Sequence, residues 1–444
     1  MHLASISRAA LAGLLLVALC LPGVAADNVR ALAALPGSPA LEVLLHGNIE
    51  RVRVRGEGPL TVGGADTGAV EVVVSRSGRS DLPFAVETAS AKTLVAAPVR
   101  VAGPAGAPLE VRAVEAKTGR IVVEAAYRGV LDLRLWRGAA AVVNVIVPDD
   151  YVASVVASEI GAESPLEALK AQAVAARSFA WAEAQARRAD PGAPPWDLVT
   201  STADQVYRGV SEETPFTRLA ALETAGEVLA AGGTVVRSVY HACSGGSTTS
   251  AMDAWHSLIP GPRPVFDGFG DSPALSAEPE LRRFLLAPPT TVFGGAHPAF
   301  RWRASYTAEQ LTRILARSLK AIEVAGARDI GSVQDVQVGP RSLDGRVTSL
   351  RIIGSKGETV VSGDAIRWAF GDGGVGSGGL RSTLFVLDKS GSEPPYMEYS
   401  FAGGGWGHGV GMSQAGAIDM ARRGLSYRVI LRHYYGDAEL ARLG

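Results

Sequence analysis

Pro148-Asp-Asp-Tyr-Val-Ala-Ser-Val-Val-Ala-Ser-Glu-Ile160 and, shortly after it, Ser164-Pro-Leu-Glu-Ala-Leu-Lys-Ala-Gln-Ala-Val-Ala-Ala-Arg177 mark the place where the hydrophobic period of the chain changes. Upstream, Leu41-Glu-Val-Leu-Leu, Arg51-Val-Arg-Val-Arg, Val70-Glu-Val-Val-Val, Leu109-Glu-Val-Arg-Ala-Val and Leu131-Asp-Leu-Arg-Leu alternate or cluster β-formers between Gly, Pro and Asp breaks. That pattern predicts a sheet with one wetted face. At Pro148 a short helix opens, with proline in the first turn and Asp149 and Asp150 near the positive dipole end. Ser164-Pro165-Leu166-Glu167 predicts a second start, Ser164 capping, Pro165 at the first helical position and Glu167 completing a capping box. The Ala-rich run after it reaches about Arg188 and stops before Pro191 to Pro195. Strands first and helices after give an α+β fold class.

Further on, short strands and turns are expected around Val206-Tyr207 and from Thr234 to His241. Pro260 to Pro298, rich in Gly and Pro, reads as an insertion or surface excursion. A helix near Thr307 to Ala321, strands at Val333 to Val338 and Val347 to Ile353, a glycine-rich loop at Gly371 to Gly379 and a last helix from about Ala415 complete the pattern. No fixed-period repeat is present.

The amino terminus predicts export. Arg8, the apolar run Ala9 to Leu21, Pro22-Gly23 and the small residues Val24-Ala25-Ala26 have the order of a secretory signal peptide over residues 1–26. The apolar run is too short for a spanning helix, so contact with a membrane is expected only if the leader stays uncleaved. Without the leader one cysteine remains, Cys243, which cannot form an internal disulfide. A formal charge of −1 argues against an electrostatically driven nucleic-acid binder.

Glu159 is the first candidate for chemistry. Its neighbours Val155, Val156, Ala157, Ser158 and Ile160 are apolar or small, and it falls near the negative end of the short helix. Poor solvation and that dipole both raise a carboxyl pKa, as a general acid for glycoside cleavage requires. Lys170 and Arg177 fall beside the apolar stripe Leu166, Leu169, Ala173, Ala176, Ala180, so each needs a partner or a function. Tyr240-His-Ala-Cys-Ser244 puts His241 and Cys243 on one face of a strand, which permits a thiol nucleophile or a zinc pair with His256 or His408. No CxxC or HExxH pairing is present, and no metal or other cofactor is expected. Gly403 to Gly416, with Trp406 and His408 inside it, suits either close backbone approach or N–H groups free for an anion.

Together these segments resemble the SpoIID/LytB family, the stage II sporulation protein D and amidase-enhancer proteins. The resemblance runs from Tyr127-Arg-Gly through Asp150-Tyr-…-Glu159, Glu167-Ala-Leu-Lys-Ala-Gln172-…-Arg177-Ser178 and Ser201-Thr-Ala-Asp-Gln-Val-Tyr207-Arg-Gly209. It continues through His241 to Gly246, Gly345-Arg-Val, Arg381 to Phe385, Gly405-Trp-Gly-His-Gly-Val-Gly-Met-Ser413-Gln414 and Ile430 to Tyr435. It divides the chain into a leader (1–26), a β-rich region (27–126) and a SpoIID/LytB-like domain (127–444) with an insertion at about 257–300. It implies a protein of the periplasm or cell surface acting on peptidoglycan glycan strands, as a lytic transglycosylase that prefers strands stripped of peptide. Glu159 stands at the place of the family's catalytic acid. Lys170, Gln172, Arg177, Tyr207, His241, Ser244, His408, Ser413 and Gln414 match further motif positions, and the resemblance implies substrate-binding or stabilising roles for them. The alternative it carries is a non-catalytic glycan binder that enhances a cell-wall amidase. Three positions depart from the family pattern: Ile160-Gly161 replaces Met-Pro, Ala415 replaces a common tryptophan, and Cys243 replaces serine or threonine.

Overall fold

The computed structural model describes residues 30–31, 40–201, 203–322, 329–371, 378–394 and 396–443. The expected leader, Thr202 and most of the 371–379 glycine loop lie outside the described residues.

The amino-terminal half is built from two antiparallel-rich sheets. In the first, Ile49–Arg55 lies between Leu109–Glu115 and Glu71–Arg76, with Ile121–Tyr127 outside one neighbour and Phe84–Glu87 and Lys92–Val95 outside the other. In the second, Ala139–Ile146 lies between Leu41–His46 and Val130–Trp136, and Val99–Ala102 follows. Alternation decides the faces. In Arg51-Val-Arg-Val-Arg the two valines are buried and the three arginines exposed. Val52, Val54, Val72 and Val74 of one sheet share a core with Leu41, Val43, Leu131 and Leu133 of the other. Residue 127 closes a strand of the first sheet, and the strands after it enter the second beside Leu41–His46 and Val99–Ala102.

The helices follow where the period changes. An entry helix, Pro148–Val156, buries Tyr151, Val152, Val155 and Val156 in that same core. A π-helical turn, Ala157–Gly161, comes next, and the long helix, Leu166–Ala189, runs through the molecule. Leu169, Ala173 and Ala176 pack on the sheet core, while Ala171, Val174 and Ala175 pack on a second core with Met412, Ile430 and Tyr434. Its many alanines let both cores approach closely.

The expected capping box does not form. Pro165 is itself the N-cap, with an extended backbone (ψ 142°), and the helix begins at Leu166. The Ser164 hydroxyl donates to the Ile160 carbonyl at 2.8 Å, a group left open by the π-helical turn. Glu167 accepts from Lys170 and from the Tyr427 N–H.

The carboxy-terminal half holds two three-stranded sheets. One orders Arg301–Thr307, Glu398–Gly404 and Phe385–Ser390; the other orders Val333–Val338, Ser349–Gly354 and Gly357–Ser362. The helix Ala308–Ala321 carries the Thr307–Gln310 capping box and packs Leu311, Leu315 and Leu319 between them. The stretch from Pro260 to Pro298 is not wholly a surface excursion. Its helix Glu278–Leu286 places Leu281, Phe284 and Leu285 at helical spacing into a core with Cys243, Leu384 and Ala415. Proline and glycine break the segment's regularity without removing its apolar face.

Candidate active site

A cleft of about 840 Å³ lies where these parts meet. Glu159, Asp204, Tyr240, His241, Trp255, Arg367, Trp368, Arg381, Trp406 and His408 are among its lining residues. Glu159 comes to it from the π-helical turn. Such a turn widens the helix by one residue and is a recurrent device for turning a side chain toward a site. Gly161 at φ +87° closes the turn in a conformation that favours glycine.

The Glu159 carboxylate accepts from the Val206 N–H at 2.7 Å and from the Gln414 side chain. Burial raises its pKa above the ordinary glutamate range, and these two hydrogen bonds only partly oppose the shift. The Val206 N–H is held in place by a buried network. Tyr151 Oη donates to Gln205 Oε1 at 3.0 Å, and Gln205 Nε2 donates to Tyr240 Oη at 2.8 Å. Asp204, the other carboxylate in the cleft, is already engaged: it accepts from the Val199 N–H at 2.7 Å and from Arg187 at 2.8 Å.

The opposite wall explains the glycine-rich segment. A Cβ at Gly407 (φ +115°) would sit 2.7 Å from the His241 Cβ, and one at Gly409 would sit 2.4 Å from the Arg346 guanidinium. Glycine therefore serves close approach between 403–411 and 239–247. The anion-binding option finds no support, because the Gly405, Trp406 and Gly407 N–H groups donate to Phe300, Cys243 and Arg381 carbonyls. Tyr240–His241 pairs in parallel with Met412–Ser413 across this contact.

The two cleft histidines are neutral. His408 donates from Nε2 to the Tyr240 carbonyl at 2.9 Å and accepts at Nδ1 from the Val410 N–H, and burial pushes its pKa down to about 4. His241 Nδ1 donates to the Val410 carbonyl at 3.1 Å, and burial followed by the nearby His408 and Arg346 lowers its pKa well below the usual range. With both nitrogens of His408 committed, it has no lone pair left for a metal. Among the described residues no group of three or more His, Cys, Asp or Glu is arranged to hold a metal ion. The Cys243 thiol is buried and its pKa is pushed up to about 11, the reverse of an activated nucleophile.

The candidate residues separate into three positions. Glu159, His241 and His408 line the cleft. Gln414, Gln172, Ser413 and Ser244 form a layer behind it: Gln414 lies against Glu159 and 3.4 Å from Gln172, Ser413 Oγ accepts from the Ser244 N–H at 3.1 Å, and the Ser244 hydroxyl donates to Asp267 at 2.5 Å. Arg177, Lys170 and Tyr207 lie elsewhere. Arg177, 1% exposed, pairs with Asp149 at 2.7 Å and donates to the Glu227 and Ala221 carbonyls. Lys170 joins Glu167 and Glu223, and Tyr207 donates to Asn144 Oδ1 at 2.7 Å beneath the sheet. Trp255, Trp368, Arg367 and Arg237 line the cleft without having stood out in the sequence, for they sit outside any motif spacing. Trp406 is half exposed at 50% with the Arg381 guanidinium 5.7 Å from its ring, while Arg367 lies 4.4 Å over Trp368.

Residues 137–230, which span the entry helix, Glu159 and the long helix, match the family model described as stage II sporulation protein. Over this segment the chain is similar to the SpoIID/LytB family. Residues 264–411 match a second model, described as a domain of unknown function (DUF8618). The chain is 28% identical over 294 residues to the amidase enhancer of Bacillus subtilis, an alignment covering 64% of this chain and 39% of that protein. With the stage II sporulation protein D of the same organism it shares 26% identity over 363 residues, 79% of this chain and 91% of the other. An uncharacterised protein of Brachyspira hyodysenteriae is 27% identical over 315 residues, with 71% and 72% covered. The chain thus matches nine tenths of one SpoIID/LytB relative and only about two fifths of another.

Proposed function

We propose that this chain is an exported lytic transglycosylase that cleaves peptidoglycan glycan strands at N-acetylmuramic acid, with Glu159 as acid and then base. The observation that carries this reading is the Glu159 carboxyl, its pKa raised by burial, facing a cleft whose other lining carboxylate, Asp204, is tied to a cation, Arg187. Asp204, whose pKa burial also raises, is ion-paired with Arg187, and no further carboxylate lines the cleft among the described residues to serve as nucleophile or water activator. A two-carboxylate hydrolase needs that second group. A transglycosylase does not, because the sugar supplies its own nucleophile.

Protonated Glu159 gives its proton to the glycosidic oxygen as the bond from muramic C1 to that oxygen breaks. The resulting carboxylate takes the proton of the C6 hydroxyl, and O6 bonds to C1 to close a 1,6-anhydro ring. No water enters the balance. The exposed face of Trp406 and the rings of Trp255 and Trp368 suit stacking against sugar faces, and Arg367 and Arg381 add donors for sugar oxygens. Neutral His241 and His408 add no charge to the groove.

The name of one relative, amidase enhancer, favours a second reading in which the groove binds glycan and assists a cell-wall amidase without cutting. Mass spectrometry of peptidoglycan incubated with the protein, using intact and peptide-stripped strands, separates the two. Anhydro-muramic ends are expected. New reducing ends would replace the mechanism with hydrolysis, and glycan retention without cleavage would replace it with the enhancer reading.

A further inference from the structure

We infer that Gln414 and Gln172 form an amide bracket behind the cleft, in which Gln414 touches the Glu159 carboxyl and Gln172 fixes the orientation of Gln414. The inference deepens the role proposed for Glu159 and assigns both glutamines positioning functions in place of direct contact with substrate.

Their placement argues for it. Gln414 opens the helix Gln414–Arg422, whose N-cap Ser413 hydroxyl accepts from the Gly416 N–H at 3.1 Å. Gln414 is 8% exposed and Gln172, from the middle of the long helix, is fully buried, so neither amide is shared with bulk water. Gln414 Nε2 donates to Gln172 Oε1 at 3.4 Å. An amide nitrogen carries two hydrogens. With one directed at Gln172, the other serves the bond that Gln414 makes to Glu159. The Gln172 carbonyl thereby favours the nitrogen end of the Gln414 amide on this side, while Gln172 Nε2 is itself buried without a hydrogen-bond partner. The helices behind the two glutamines are themselves fixed, since Ala171, Val174 and Ala175 share a core with Ala417 and Met420.

The bracket supplies the carboxyl with a second donor beside the Val206 N–H. Other ionisable groups near Glu159 are the buried phenols of Tyr151 on the entry helix and Tyr240 on the facing strand, both kept neutral by burial. Asp204 lines the same cleft from the 203–207 segment and is paired with Arg187. Gln414 is thus the neutral donor placed to stabilise the ionised state that Glu159 must pass through between its acid and base steps.

The test is a ¹³C NMR titration of the Glu159 carboxyl in the full chain, assigned by difference against Glu159→Gln, repeated in Gln414→Met and Gln172→Met. Losing a donor to a carboxylate raises its pKa, so the Gln414→Met midpoint is expected about one pH unit above wild type. The Gln172→Met midpoint should move the same way by less. Gln414→Glu provides a second test, because a neighbouring carboxyl raises the midpoint further. A midpoint unchanged in folded Gln414→Met, or unchanged in folded Gln414→Glu, overturns the bracket. The readout needs no turnover: a shifted midpoint in a protein that cuts no glycan upholds the bracket and removes the transglycosylase reading, while cleavage with an unmoved midpoint does the reverse.

Discussion

Glu159 and Arg177 are both charged side chains withdrawn from water in the same helical layer, and they differ in how completely their surroundings answer them. Arg177 has Asp149 on one side and the carbonyls of Glu227 and Ala221 on the other, so its donors are directed at protein acceptors. Glu159 has one backbone N–H and one amide, sits on an irregular turn and faces an open cleft. A buried charge with a full set of partners ties elements together, here the entry helix, the long helix and the strand Glu227–Ala231. Burial displaces the pKa of both groups, down for Arg177 and up for Glu159, but only Glu159 faces an open cleft where a proton can pass to a ligand. Sequence spacing made both residues conspicuous, and only the partners distinguish them.

The contrast yields predictions of decreasing size. Glu159→Gln keeps the shape of the side chain and an oxygen for the Val206 N–H but removes the acidic proton, so glycan turnover should fall roughly 10²–10⁴-fold, as measured by release of soluble fragments. Arg177→Met should leave the half-exposed Asp149 to water but two buried carbonyls without their donor, and cost about 1–3 kcal/mol of stability for each, read from denaturant unfolding. Equal stability in Arg177→Met would mean that its partners do not hold it as described. Trp406→Ala should raise KM about tenfold, the equivalent of about 1.4 kcal/mol of lost stacking, with little change in melting temperature because the ring is already half exposed. Cys243→Ser should leave turnover within about twofold of wild type, since an unactivated thiol takes no part in general acid–base chemistry; a large loss would revive thiol chemistry at that position.

The pH profile sharpens the same contrast. In the proposed mechanism Glu159 acts as its protonated form, so kcat/KM should be sustained below its pKa and decline as pH rises through it. Burial raises that pKa, which places the decline above the range of an ordinary glutamate. A decline within the ordinary range would show the carboxyl to be solvated.

Much of the fold was legible because it follows from period. The alternation in Arg51-Val-Arg-Val-Arg, the switch at Pro148, and the capping pair Thr307 and Gln310 all depend on near neighbours. Ser164 and Pro165 were misread because the π-helical turn, invisible to a 3.6-residue period, offers the serine a carbonyl and leaves proline outside the helix. The buried helix within Pro260 to Pro298 was not legible, because its apolar face is short and surrounded by breakers. In the site, Glu159 was legible from its apolar neighbours and from family resemblance. Trp255, Trp368 and Arg367 were not, since they reach the cleft from separate short helices whose convergence is a tertiary fact. The glycine-rich segment announced close approach, but only its partner strand shows that it approaches His241 and Arg346 and leaves few N–H groups free.

The most direct test compares Glu159→Gln with wild type in one preparation, following thermal unfolding, glycan binding and fragment release together. The account predicts an unchanged melting curve, retained binding and loss of anhydro-muramic products. Undiminished product release from the folded Glu159→Gln protein would contradict it and remove Glu159 from the chemistry.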